Sequence, residues 1–285
     1  MSPIRFLMLV SLSLVLLTPF FYYIGLPFVW LEAYLHEISH GLTAIFSGGS
    51  VVSITLDFDG RGVCQYKAPV ISLKKLVIFI SYIVISIWGA LIFFKVINTV
   101  SAAIRVALAL FLLMLVGLVW MRLKLGGWST TIDDSQLEKI VLFFGYAGAT
   151  IWGGVIYSGA LSSVRVAHRI ALVIVILLMT FGLLWMKSEI ESWAILMIMI
   201  SLIFFPLWFV RYHTVQVFVQ FIGIFIMTSN IYSVAKLFYI RTEGDHYKLS
   251  TLTGIPMNAW VWSWLIFCVS VLLFFGYKTF SHPQK

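Results

Sequence analysis

The chain has 285 residues, of which 61% are hydrophobic and 16% aromatic, while only 11% are charged. An average soluble domain carries about 25% charged residues, so a soluble globular enzyme, a disordered protein and a nucleic-acid-binding module are all excluded. The net charge of +8 rests on Lys and Arg at the ends of apolar runs, where basic residues orient membrane spans and meet lipid rather than nucleic acid.

Taken in chain order, apolar segments fall at about 6–26, 28–47, 76–96, 103–121, 139–160, 168–186, 192–210, 214–236 and 257–277. A spanning helix needs roughly 20 apolar residues. The pattern predicts an all-α polytopic membrane protein with about nine apolar helices in one integral-membrane domain, 1–285. No small-residue cleavage pattern follows the first segment, Phe6 to Leu26, which reads as a retained span. With the N-terminus in the cytoplasm, the more basic set of loops lies inside. Arg5 then faces the cytoplasm, and Arg165, Arg169, Arg211 and Lys278 face the other side.

Between the second and third segments, VVSITLDF, Asp59-Gly60 and GVCQYK place β-branched residues on both sides of a Gly-containing turn. This predicts a short β-hairpin within 48–67. Further on, KLVIFISYIVISIWG (75–89) and KIVLFFGYAGATIWG (139–153) match at seven of fifteen places. The chain thus divides into a core with its hairpin (1–75), two repeated two-helix units (75–121 and 139–186) and late helices (187–285). A polar stretch, RTEGDHYKLSTLTGIP (241–256), precedes the last segment. Cys64 lies in a polar loop and Cys268 in a late apolar segment, so neither a disulfide nor a Cys metal site is expected.

The second apolar segment carries the chemistry. LEAYLHEISHG (31–41) contains His36-Glu37-Ile38-Ser39-His40, the HExxH pattern. Residues four apart lie on one helical face, so His36 and His40 can grip one metal ion. Glu37 projects about 100° from His36 around the helix, beside the metal, where it can take a proton from a bound water. Zinc suits such ligands and keeps an open position for catalysis. Ionisable residues inside an apolar segment are costly and usually functional. Glu32 continues the same stripe one turn earlier and is read as an orienting partner of His36 rather than a ligand.

This pattern resembles the site-2 protease family of intramembrane zinc metallopeptidases, most closely its compact bacterial and plant branch without a PDZ domain. The resemblance is carried by HEISHG (36–41), the Gly48-Gly49 turn with its short β-like stretch, SYIVISIWGALI, and GDHYKLSTLTGIPMNAWVW (244–262). It implies zinc held by His36 and His40, Glu37 as catalytic base, and a third ligand from an Asp much later in the chain. The family's Asn-Pro-Asp-Gly or Leu-Asp-Gly motif is absent from the late spans. Asp59-Gly60 suits a hairpin turn, and Asp133 and Asp134 suit a solvated loop. Asp245, within the segment that carries the resemblance, is the aspartate backed as the third metal ligand; a solvated loop charge is its other reading. To reach mid-helix histidines it must be carried inward by a re-entrant or partly buried stretch.

Among the remaining polar residues, Asn230 could donate to a developing oxyanion or bridge helices. His213 and His246 read as interfacial groups near span ends. The function expected is an intramembrane zinc metalloendopeptidase of the bacterial inner membrane, cutting in or near a substrate's transmembrane helix, with the hairpin offering an edge strand to the unwound peptide. A catalytically inactive scaffold of the same fold and a metal-binding transporter are the alternatives.

Overall fold

A computed structural model describes residues 2–47, 49–67, 134–187 and 189–281. Its elements are α1 (Pro3–Leu16), α2 (Tyr22–Phe46), β1 (Ser50–Leu56), β2 (Gly62–Lys67), α3 (Asp134–Ser162), α4 (Val164–Trp185), α5 (Ile190–Phe209), α6 (Tyr212–Lys236), α7 (Asp245–Thr253) and α8 (Met257–Ser281), with a 3₁₀ turn at Leu237–Tyr239. Five of these helices, α3, α4, α5, α6 and α8, are long and apolar enough to cross a membrane. The chain is a multi-pass integral membrane protein. Of the nine apolar segments expected, those at 76–96 and 103–121 lie outside the described residues, together with the first copy of the repeat.

The first expected span is corrected. The helix breaks at 17–21, not near Pro27, and α1 is 14 residues long, about 21 Å at 1.5 Å per residue and so shorter than the ~30 Å hydrocarbon core. Pro19 has no N–H to offer the Val15 carbonyl, which accepts instead from the Thr18 backbone (3.1 Å) and the Thr18 hydroxyl (2.6 Å). Pro27 sits inside α2 without ending it. A second correction follows. The ring of Phe6 packs 5.9 Å from that of Tyr157, near the end of α3, and 6.2 Å from that of Phe280, at the end of α8. Arg5 therefore shares one end of the bundle with Arg165 and Lys278 instead of opposing them.

The centre of the bundle is α3 against α6, each 72% buried, whereas α4, α5 and α8 are 33%, 28% and 28% buried. These two helices meet backbone to backbone. A Cβ on Gly153 would lie 2.9 Å from the Gly223 carbonyl oxygen, and one on Gly223 would lie 2.6 Å from the Tyr157 nitrogen, the small-residue crossing common between membrane helices. Gln216 and Gln220 both donate to the Ala160 carbonyl, at 2.9 and 3.2 Å, fixing the start of α6 beside the end of α3. α2 packs on α3 and α6, and one apolar core runs from Trp30, Leu31 and Ile38 into α4 and α5.

The hairpin forms where the β-branched runs predict it. β1 and β2 pair antiparallel from Ser50↔Lys67 to Leu56↔Gly62, with an irregularity between Val51 and Ser53. Gly60 takes φ +89° in the turn, and Asp59 accepts from the Arg61 backbone (3.1 Å) and guanidinium (2.6 Å). The outer edge of β1 is sealed by the connection from α4 to α5. Lys187 donates to the Ile54 carbonyl, the Ser192 hydroxyl exchanges hydrogen bonds with both backbone groups of Leu56 (2.9 and 3.0 Å), and the Phe58 N–H donates to Glu191 (2.6 Å). Among the described residues the edge of β2 has no such seal, and it lies against α2.

Candidate metal centre

α2 stacks His36 and His40 one turn apart, with ring centroids 4.6 Å from each other and both residues buried. Their Nε2 atoms are 2.9 Å apart. A carbonyl can only accept, so His40 Nδ1 donates to the Val141 carbonyl of α3 at 2.8 Å, and this bond turns Nε2 toward the common volume. After α6, the chain turns through Leu237–Tyr239 and folds back, so that α7 starts at Asp245 beside these rings. Asp245 Oδ2 lies 3.3 Å from His36 Nε2 and 3.2 Å from His40 Nε2. Burial opposes the charge on Asp245, but the imidazoles of His40 and His36 outweigh it and hold the carboxyl well below the usual carboxylate range.

His36, His40 and Asp245 form a group that could hold a metal ion. The donor set fits zinc. Ligand atoms bound at 2.0–2.1 Å to a tetrahedral centre sit about 3.3 Å apart, matching the two carboxylate–imidazole separations. The imidazole nitrogens need to open by only a few tenths of an ångström.

Room for this cluster comes from α3. A Cβ on Gly145 would fall 2.4 Å from His40 Cε1 and 2.7 Å from His36 Cε1. The next residue, Tyr146, lays its ring edge-on to His36, with centroids 4.4 Å apart. Neither residue stands out in the sequence by charge. The available signal was the repeat, whose first copy carries Ser81 where the second has Gly145.

Glu37 is buried beside the cluster. Its carboxylate faces the Cys64 backbone of β2 and interacts electrostatically with His40, His36 and Asp245. β2 passes so close that a Cβ on Gly62 would lie 2.7 Å from Glu37 Cγ. Burial, and then the Glu37 charge, push the Cys64 thiol well above its ordinary value, which leaves it a poor nucleophile.

Of the other residues the sequence singles out, Asn230 and Asp59 take places it offers, while Glu32 and His246 do not. Glu32 accepts from the hydroxyls of Ser229 (3.3 Å) and Ser233 (3.4 Å) on α6; among the described residues no hydrogen bond joins it to His36. Asn230 bridges helices, donating to the Tyr146 carbonyl (2.7 Å), Thr150 (2.6 Å) and the Cys268 sulfur (3.4 Å). His246 is not interfacial but 1% exposed, its Nε2 bonded to the Ile240 carbonyl at 2.7 Å. Asp59 belongs to the hairpin turn. Asp134 is the first residue of α3, and Asp133 lies outside the described residues.

The peptidase M50B-like family model matches residues 6–132 and 124–275. The chain belongs to that family, part of the site-2 protease group whose HExxH helix and late segment it resembles. No curated protein matches the chain, and no solved structure matches it.

Proposed function

We propose that the protein is an intramembrane zinc metalloendopeptidase that hydrolyses a peptide bond in or near a substrate's transmembrane helix, in a bacterial inner membrane. The observation that carries this reading is the approach of Asp245 Oδ2 to within 3.2 and 3.3 Å of the two histidine nitrogens, with Glu37 buried alongside. Family membership and five spanning-length helices support it.

His36, His40 and Asp245 would hold the ion, and His40 is oriented for it by the Val141 carbonyl. A bound zinc supplies Lewis acidity toward the scissile carbonyl and lowers the pKa of a water to near 7. Glu37 takes a proton from the attacking water and returns one to the leaving amine. The edge of β2, unsealed among the described residues, borders Glu37, so a locally unwound substrate strand can be held there by main-chain hydrogen bonds.

The test is Glu37→Gln in purified, reconstituted protein. Cleavage of a transmembrane model substrate should fall by at least about 10²–10⁴-fold, the usual contribution of general acid–base catalysis, while zinc content stays at parental level. Full cleavage by the variant rejects the base role. Absence of zinc from the parent rejects the metallopeptidase.

A further inference from the structure

The end of the bundle away from the histidines has a composition of its own. It is assembled by the contacts that bring the end of α3 beside the start of α6, and by Tyr157, whose hydroxyl lies 2.8 Å from Thr279 of α8. α4 starts there after Ser163, whose side chain accepts from the Val166 N–H. His168 and Tyr212, near the starts of α4 and α6, hold their rings 5.1 Å apart. Arg165 and Arg169 on α4, Arg211 before α6 and Arg5 before Phe6 are exposed, and Lys278 is partly so. Among the described residues, none of these five has an ion-pair partner.

Among the described residues, no acidic side chain is paired with these cations. The acids among the described residues lie on α2, in the hairpin turn, at the starts of α3 and α5, and in or just before α7. Residues 68–132 contain neither Asp nor Glu, so no stretch of that segment can neutralise the patch. The same end carries exposed aromatics, Trp208 (74%), Phe209 (69%), Tyr212 (63%) and Tyr277 (73%). Such a belt marks the level of lipid headgroups, which distinguishes a lipid ligand from a soluble anion.

We propose that this end is a seat for anionic phospholipid headgroups, with Arg165, Arg169 and Arg211 gripping the phosphates and Arg5 and Lys278 at the margin. Guanidinium groups pair with phosphate oxygens in a bidentate fashion, and the fixed helix starts hold them in place. The inference is independent of the peptidase reading, because it uses none of the residues around Glu37.

The test compares brominated phosphatidylglycerol with brominated phosphatidylcholine as quenchers of tryptophan fluorescence in reconstituted full-length protein. Phosphatidylglycerol should be preferred, and the triple change Arg165→Gln, Arg169→Gln, Arg211→Gln should lower that preference by at least about tenfold. The corresponding triple Lys variant should keep most of it. Changing Lys67, Lys187 and Lys236 to Gln at the other end should leave it intact. Equal quenching by the two lipids overturns the proposal, as does a triple Gln variant that keeps the preference or an equal loss in the Lys67/Lys187/Lys236 control. Displacement of the lipid by inorganic phosphate, beyond that by chloride at equal ionic strength, would overturn it in favour of a free phosphate site.

Discussion

The two ends of the bundle handle charge in opposite ways. Around His36, His40 and Asp245, charged groups are turned inward and answer one another, because an ion in a low-dielectric interior persists only with partners. At the far end Arg5, Arg165, Arg169 and Arg211 are exposed, with no ion-pair partner among the described residues. The net charge of +8 conceals this segregation. Inward charge here gathers residues that could hold a metal ion, and outward charge is left exposed at the bundle end.

The contrast can be broken most severely at Asp245. Asp245→Ala removes the only oxygen donor of the cluster and should cost more in zinc affinity than the 10–100-fold typical of outer-shell changes. Zinc content after dialysis against a weak chelator measures it, and parental zinc in the variant would strike Asp245 from the ligand set. Gly145→Ala comes next, since its Cβ would stand 2.4 Å from the His40 ring. Displaced imidazoles should lower zinc affinity by roughly 10–100-fold, with far less effect on the thermal unfolding midpoint. Unchanged zinc affinity would show that α3 can retreat. The smallest effect is expected at Asn230, whose hydrogen bonds tie α6 to α3 and α8. Asn230→Ala should destabilise by about 1–2 kcal/mol while zinc stoichiometry and cleavage persist. Loss of cleavage at unchanged stability would restore Asn230 as an oxyanion donor.

Local signals were legible in the sequence. HEISH places two imidazoles on one stripe by helical geometry, and the β-branched runs around Asp59-Gly60 give the hairpin by strand and turn chemistry. The break between α1 and α2 falls earlier than the apolar pattern predicts because two prolines compete. Pro19 follows a Thr whose hydroxyl caps the broken turn, whereas Pro27 is absorbed within α2. Contacts between helices were beyond reach. Helices apolar all round carry no periodicity to say which face meets which partner, so the approach of Gly145 to the histidines, the pairing of Glu32 with Ser229 and Ser233, and the burial of His246 left no mark in local pattern. Asp245 was singled out by its segment, but only the fold-back after α6 gives it the right depth.

The glycine crossing of α3 and α6 has a consequence for traffic through the molecule. With main chains in direct contact at Gly153 and Gly223, those two helices form a spine that neither slides nor parts without losing close-packed surface. Among the described helices, α4, α5 and α8 are the less embedded ones, so they have more freedom to shift than the wall that bears Val141 and Gly145.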